Sequence, residues 1–169
     1  VVYGRAVVGG LITDARISDD NSKMYYCYVL SERTGTLLST GAQSTTTFEE
    51  IYWNNAKVTF QSDGITAAST VAEDNYVDQS INGLVKFYLY NNGSGTQVAP
   101  NGSSLTTNRT AYSVFPEWTS NHTMNNLVFA IIEVTYSPTN NVTGIGDCQF
   151  RLRNTLTQPG DVLYDYMTN

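Results

Sequence analysis

The stretch Leu127–Tyr136, with the sequence LVFAIIEVTY, constrains the fold more than any other part of the chain. Its most strongly apolar part, residues 127–132, is far shorter than the roughly 20 residues that a membrane-spanning helix needs. A short, continuous apolar run rich in β-branched and aromatic residues is typical of a strand buried in the middle of a sheet. We therefore expect a β-sheet protein with this strand at its centre.

Further strand patterns occupy much of the chain. They are Val1–Val8, Leu11–Ile17, Lys23–Leu30, Phe48–Trp53, Lys57–Phe60, Gly83–Tyr90 and Asp147–Arg153. Residues 11–30 are predicted to form a hairpin with its tip at Asp19-Asp20-Asn21, because Asp and Asn favour turns. Residues 48–60 are predicted to form a second hairpin, in which Asn54-Asn55 adopts the positive φ of a two-residue turn.

Three segments depart from the strand pattern. Residues 159–169 begin like a helix, since Pro159 suits the first helical turn and Val162, Leu163, Tyr166 and Met167 recur at helical spacing. Residues 93–112 are rich in Asn, Gly, Ser and Thr and are predicted to form a long exposed loop. Residues 61–80 are polar and acidic and are predicted to form a loop or a short helix.

These patterns predict a mainly β fold, an antiparallel β-sandwich or barrel-like arrangement with a short C-terminal helix. An α+β arrangement is the alternative. Because the chain has 169 residues, we expect residues 1–169 to form a single β-rich domain.

The charge balance is acidic. The chain carries 9 Lys and Arg residues against 15 Asp and Glu residues, a net charge of −6. Because a phosphate backbone or an anionic bilayer is bound through clustered cations, we expect no direct nucleic-acid site and no membrane surface contact. Charged residues are 14% of the chain, and Asn, Ser, Thr and Gly take their place. This composition is common in extracellular proteins and in virion surface proteins.

Residues able to support catalysis or metal binding are scattered. His122 is the single histidine and has no candidate metal ligands near it in sequence. Glu49 and Glu50 are adjacent in a predicted strand, so their side chains are expected on opposite faces and unable to act as a pair. Neither a nucleophile elbow nor a phosphate-binding glycine motif is present. We therefore predict no catalytic residue, cofactor site or metal site.

The two cysteines, Cys27 and Cys148, lie far apart in the sequence. A disulfide between them would close a long loop, as in small secreted domains. Both lie in apolar, strand-like runs, which are equally typical of buried free thiols. The sequence leaves both alternatives open.

Three stretches resemble a known family. They are YGRAVVGG at residues 3–10, EIYWNN at 50–55 followed by VTF at 58–60, and DVLYDYMTN at 161–169. This ordered series is similar to the central tail-tip, or baseplate hub, proteins of long-tailed bacteriophages of the lambda type and their relatives in prophages and gene transfer agents. In that family a YG-x-x-x-x-GG strand opens a β-rich segment that finishes with an L-Y-D-x-L-T-N helix. The abrupt start and the short final helix lead us to expect one segment of a longer hub protein.

The resemblance implies a structural role in the virion, at the phage tail tip. Such hubs cap the tail tube, usually as trimeric rings, contact other tail proteins, and take part in host attachment and channel opening. A host receptor would be bound through other parts of the parent chain. The predicted interface residues are Tyr3, Tyr52, Trp53, Phe115, Trp118, Tyr164 and Tyr166.

Two alternatives remain from the residues alone. The low charge, the tyrosines and the polar loops equally suit a secreted or cell-surface β-sandwich binding module, either an adhesin or a carbohydrate-binding domain. An enzyme on a β scaffold, such as a polysaccharide hydrolase, would need a pocket with two converging carboxylates.

Overall fold

The structure is a computed structural model that describes residues 1–168, in which eleven strands form two antiparallel sheets. The strands are β1 (Arg5–Val8), β2 (Leu11–Ile17), β3 (Lys23–Glu32), β4 (Thr46–Trp53), β5 (Ala56–Phe60), β6 (Ala67–Val71), β7 (Val77–Asp78), β8 (Val85–Tyr90), β9 (Gln97–Val98), β10 (Leu127–Thr135) and β11 (Cys148–Asn154). The helices are α1 (Ala111–Val114) and α2 (Pro159–Thr168), with a 3-10 turn at Pro138–Asn140. The predicted β fold with a short C-terminal helix is confirmed. Asn169, the last residue of the predicted domain and helix, lies outside the described residues.

The two sheets face each other across the main core. The six-stranded sheet has the order β1-β11-β4-β5-β6-β7, and the five-stranded sheet has the order β2-β3-β10-β8-β9. Both predicted hairpins form, because β2 pairs with β3 and β4 pairs with β5. Asn54 and Asn55 at the β4–β5 turn have φ of 50° and 64°, as a tight two-residue turn requires.

Aromatic side chains from both sheets fill the main core. Phe48 and Phe150, from neighbouring strands of the six-stranded sheet, meet edge to face at 6.4 Å between ring centroids. Phe87 of the five-stranded sheet meets Phe60 at 5.9 Å and Trp53 at 6.5 Å. Such offset contacts contribute beyond the burial of apolar area itself.

Strand β10 is the central strand predicted from its apolar run. It pairs with β3 on one side and β8 on the other, and residues 128–134 are all buried. The side chains of Val128, Ala130 and Ile132 face the main core, whereas Phe129 and Ile131 face the opposite side of the sheet. A strand buried on both faces has no need of polar alternation, which accounts for its continuous apolar sequence.

The outer face of the five-stranded sheet is covered by residues 105–126, which we call the cover segment. Ala111 and Phe115 are buried against this face, and Trp118 and Met124 pack at its border. Under the cover segment, the rings of Tyr90 and Phe129 stack at 4.8 Å. The sandwich therefore has a third, irregular layer.

The segment 93–112, predicted to be a long exposed loop, is exposed at residues 106–109 and elsewhere but also has buried positions. It contains β9, and Ser94, Gln97 and Ala111 are buried. The Gln97 backbone N–H donates to Asn108 Oδ1, and the Arg109 backbone N–H donates to Gln97 Oε1. Polar side chains here satisfy backbone groups at the buried positions of an irregular segment, so a polar composition did not reveal those positions.

Residues 61–80 also differ from the expectation of a loop or short helix. They contain β6 and β7, which extend the six-stranded sheet beyond β5. Ser69 and Thr70 of β6 are buried despite being polar, and Thr59 Oγ1 lies 2.7 Å from Ser69 Oγ. Cross-strand hydroxyl contacts of this kind replace the apolar pattern that normally identifies a strand.

The chain passes from the six-stranded sheet to the five-stranded sheet between β1 and β2. Strand β1 is an edge of the six-stranded sheet, and β2, after Gly9-Gly10, is an edge of the five-stranded sheet. Gly10 has φ of +71°, and a Cβ added to it would lie 2.5 Å from Leu30 Cδ2 and 3.2 Å from the Val29 carbonyl oxygen. The crossing therefore depends on a glycine at this position.

We expect Gly10→Ala to lower the free energy of unfolding by about 2 kcal/mol, because the substitution combines left-handed backbone with steric overlap. Gly9→Ala is the matched control: a Cβ at Gly9 meets nothing within 4 Å, so the change should stay below about 1 kcal/mol. Urea unfolding of both variants measures the difference. Equal effects would contradict the role given to Gly10.

The central strand carries one buried charge. Glu133 is 5% exposed, and its Oε1 lies 2.9 Å from Lys23 Nζ and 3.6 Å from Lys86 Nζ. The Tyr88 hydroxyl donates to Glu133 Oε2 at 3.0 Å. Burial alone would raise the pKa of Glu133, but the hydrogen bond from Lys23 and the charge of Lys86 hold that pKa below its usual value.

Glu133 therefore makes stability depend on pH. Because its pKa is lower in the folded state, its contribution is present above the ordinary glutamate pKa of about 4.3 and is lost as the pH falls through the folded value. We expect Glu133→Gln to cost about 1–2 kcal/mol at pH 7 and progressively less in acid. Urea midpoints of both proteins from pH 7 to pH 3 test this. A pH-independent difference would contradict it.

Candidate functional site

Helix α2 is attached to the rest of the molecule by its acidic side. Asp161 and Asp165 lie one turn apart and are 6% and 4% exposed. Asp165 accepts the Tyr3 hydroxyl at Oδ2 (2.8 Å) and the Gly35 backbone N–H at Oδ1 (2.6 Å). Asp161 Oδ1 accepts the Leu38 backbone N–H at 3.2 Å. The carboxylates thus satisfy backbone groups of the loop between β3 and β4.

The apolar side of the same helix faces solvent. The exposed fractions are 59% for Leu163, 51% for Tyr164, 78% for Tyr166 and 75% for Met167. We call these four residues the α2 face. A surface helix normally buries its apolar stripe and exposes its charges, so α2 has the reverse orientation.

The pKa of Tyr3 is shifted by the same attachment of α2. Burial and the hydrogen bond to the negatively charged Asp165 raise the pKa of Tyr3 to about 12. The phenol thus stays protonated at neutral pH and keeps donating to Asp165. Tyr3, predicted as an interface residue, makes an intramolecular contact that connects the start of the chain to its last helix.

The outer face of the six-stranded sheet corrects the expectation for Glu49 and Glu50. Arg151 pairs with Glu50 and Leu152 with Phe48, so Glu49 is the extra residue of a β-bulge. The bulge interrupts the alternation of side chains, and the two carboxylates lie together between the inward-facing Phe48 and Ile51. The prediction that they point to opposite faces is therefore wrong.

Each of these carboxylates is already engaged with cations. Glu49 Oε2 lies 2.7 Å from Arg5 Nε. Glu50 binds Arg151, and its Oε1 lies 2.9 Å from Lys57 Nζ. Hydrogen bonds from Tyr52 and Lys57 lower the pKa of Glu50, so it is poorly suited to donate a proton at neutral pH.

The tyrosine and tryptophan of the β4 motif are held within the fold. The Tyr52 hydroxyl donates to Glu50 Oε2 at 2.6 Å, and the Arg151 guanidinium lies 5.6 Å from the centre of the Tyr52 ring. Trp53 is 7% exposed and belongs to the main core.

The two cover-segment residues predicted as interface residues, Phe115 and Trp118, also make intramolecular contacts. Phe115 is 2% exposed and packs against Trp118 at 4.7 Å between ring centroids. Trp118 Nε1 donates to Asp14 at 3.1 Å, and its ring stacks on His122 at 5.4 Å. An anchoring role at an interface does not fit Trp53 and Phe115, because a partner cannot reach buried side chains. Of the seven predicted interface residues, Tyr164 and Tyr166 expose more than half of their surface.

Sequence reasoning missed a second exposed apolar region. The edge strand β2 exposes 68% of Leu11, 45% of Ile12 and 59% of Ile17. We call these three residues the β2 edge. An apolar edge strand can pair with a strand of another chain, and its position at an edge cannot be read from its own sequence.

Chemistry at the remaining candidate residues is limited. Cys27 and Cys148 are buried free thiols, which decides between the two alternatives left open by the sequence. Burial raises the pKa of Cys27 to about 11 and also raises that of Cys148. Within residues 1–168, no group of three or more His, Cys, Asp or Glu side chains could hold a metal ion. None of the helices in that range is long and apolar enough to cross a membrane.

Comparisons with protein-family models, with curated proteins and with solved structures gave no match to this chain. Its surfaces and its sequence motifs are therefore the basis for inferring its function.

The attachment of α2 can be tested by removing one carboxylate. We expect Asp165→Ala to speed amide hydrogen exchange in α2 by at least about tenfold, because hydrogen bonds to a charged acceptor contribute about 1.5–3 kcal/mol each. Exchange in β10 should remain unchanged. Hydrogen–deuterium exchange mass spectrometry of peptides from α2 and from β10 measures both rates.

Asp161→Ala is the matched control for that measurement. It removes one longer hydrogen bond together with Oδ2, a buried oxygen that has no partner within residues 1–168. Its effect on α2 should therefore be smaller. Exchange in α2 that stays at the wild-type rate in Asp165→Ala would contradict the attachment described above.

Proposed function

We propose that the protein is a structural component of a phage tail tip, a baseplate-hub segment that helps to cap the tail tube and takes part in host attachment and channel opening. The observation that carries this proposal is the α2 face, an apolar surface held outward by two buried carboxylates. The three tail-tip-like motifs of the sequence support it, since the last of them, at residues 161–169, contains both these carboxylates and the α2 face.

The α2 face has the composition of a protein interface. Tyr and Met are enriched in the buried centres of interfaces, and charged residues are depleted there. Apart from the two buried aspartates, residues 159–168 carry no charge. Covering apolar surface contributes about 25 cal/mol per Å² removed from water, so a partner on this face would stabilise the assembly.

A closed ring requires two different patches on each subunit. In a heterologous assembly, one patch of a subunit contacts another patch of the next, and the ring closes if the rotation allows it. The α2 face and the β2 edge provide two such apolar patches on one chain. We propose that identical subunits use them in a homo-oligomeric ring, with a trimer as the expected size.

The attachment of α2 suits the transmission of force. Asp161 accepts a hydrogen bond from the Leu38 backbone N–H, and Asp165 accepts one from the Gly35 backbone N–H. Leu38 and Gly35 both lie in the loop that connects the five-stranded sheet to the six-stranded sheet. Asp165 also holds Tyr3, which precedes β1. A displacement of α2 by a neighbouring subunit would therefore reach both sheets, as a host-binding signal passed inward would require.

The net charge of −6 suits a component that lines a DNA channel. Like charges repel, so DNA would pass such a surface without adhering to it. In this role the negative charge keeps DNA from adhering during its passage, and no nucleic-acid binding site is involved.

Association in solution tests the proposal. We expect the wild-type chain to show concentration-dependent association in sedimentation velocity, with a trimer as the largest species. Tyr166→Lys should weaken association by at least about tenfold, since it places a charge in the centre of an apolar contact.

Asn121→Lys is the matched control, because it adds the same charge at an exposed loop residue outside both patches. It should associate like the wild type. A wild-type chain that stays monomeric at every concentration, or a Tyr166→Lys variant that associates normally, would contradict the proposed role of the α2 face.

A further inference from the structure

A cleft of about 460 Å³ opens beside the β4–β5 turn. The residues that line it include Trp53, Asn54, Tyr76, Asp78 and Asn141. A second depression of about 280 Å³ shares Trp53, Asn54 and Asn141 and continues along residues 143–147. Together they form one elongated groove, and the larger part has the size of a small-ligand site.

The polar groups of this groove are already fixed in position. The Asp147 backbone N–H donates to Asn54 Oδ1 at 2.9 Å, which directs the Asn54 amide N–H groups away from that contact. Asp78 is held by the backbone N–H and the hydroxyl of Ser80, at 2.8 Å and 3.1 Å. Groups fixed before a ligand arrives lose little conformational entropy on binding.

One donor in the groove lacks a protein partner. Trp53 is 7% exposed, and its indole N–H donates to no acceptor within residues 1–168. This nitrogen is not among the fully enclosed, unsatisfied atoms, and Trp53 lines both parts of the groove. An indole N–H that is open to a groove is available to donate to an acceptor of a ligand bound there.

The groove also presents an aromatic ring to solvent. Tyr76, in the turn between β6 and β7, is 65% exposed and borders the cleft. Asn75 before it has φ of 63°, and the Tyr76 backbone N–H donates to Asp74 Oδ1, so the backbone of the turn is fixed beside the cleft. An aromatic face accepts C–H groups of a ligand that also needs hydrogen bonds at its edges.

The charge of the groove selects among ligand classes. Within the described part of the chain, no Lys, Arg or His lines either depression. Phosphates, sulfates and other anions therefore find no cation, while Asp78 and Asp147 would repel them. A ligand rich in hydroxyl groups, with apolar C–H faces and no charge, matches the donors, the acceptors and the exposed ring.

We propose that this groove binds a neutral oligosaccharide, which Tyr76 stacks against while Trp53 Nε1, Asn54 and Asp78 bind its hydroxyl groups. This function is independent of assembly through the α2 face. The ligand binds in the polar groove, whereas neighbouring subunits of the proposed ring bind to the apolar patches.

The test uses the ¹⁵N-labelled chain and four neutral probes, namely maltotetraose, cellotetraose, mannotetraose and tetra-N-acetylchitotetraose, at millimolar concentration. We expect at least one probe to shift the resonances of the Trp53 indole N–H, Asn54 and Tyr76 in a saturable manner. Tyr76→Ala should weaken that binding about tenfold, because it removes the stacking ring and leaves the core intact.

Two comparisons make the test specific. Tyr136→Ala removes another half-exposed tyrosine outside the groove and should bind like the wild type. Trp53→Phe keeps an aromatic core residue but lacks the N–H, and it should bind more weakly while Phe87 resonances show an intact core. The proposal is overturned if no neutral probe shifts groove resonances, if Tyr76→Ala and Tyr136→Ala bind equally, or if a sulfated heparin tetrasaccharide binds as tightly.

Discussion

The burial of β10 on both faces is the constraint on which the rest of the structure depends. One face needs a second sheet, and the six-stranded sheet provides Phe48, Ile51 and Phe150 for the main core. The other face needs a further layer, which the cover segment provides through Ala111 and Phe115. Without that layer, Phe129 and Ile131 would be left in water, so a long irregular connection became part of the core.

Irregular segments close to the core have buried backbone N–H and C=O groups that need hydrogen-bond partners. Uncharged polar side chains provide these partners. Asn154, 1% exposed, donates to Thr34 Oγ1 and Thr46 Oγ1 and accepts the Leu156 backbone N–H. Gln97 and Asp165 serve other loops in the same way. A buried N–H or C=O without a partner is costly, and short polar side chains satisfy it with little loss of side-chain entropy. The abundance of Asn, Ser and Thr thus has a structural cause.

The sequence was informative where local pattern and burial agree. The apolar run of β10, the β2–β3 hairpin and the Asn54-Asn55 turn were predicted because periodicity and turn chemistry are local properties. The bulge at Glu49 and the burial of Ser94, Gln97 and Ala111 were not, since both are set by contacts with distant segments. The orientation of α2 had a signal in Asp161 and Asp165, four residues apart, but charges on a helix normally indicate its solvent side.

The two proposed surfaces lie at opposite ends of one strand. Cys148, at the start of β11, pairs with Trp53 of the groove, whereas Asn154, at its end, is followed after four residues by α2. Seven residues of strand span about 20 Å. A ligand in the groove and a neighbour on the α2 face would therefore not compete, and the paired strands β4 and β11 connect them directly. Ligand binding in the groove and subunit contacts at the α2 face would therefore both act on the paired strands β4 and β11.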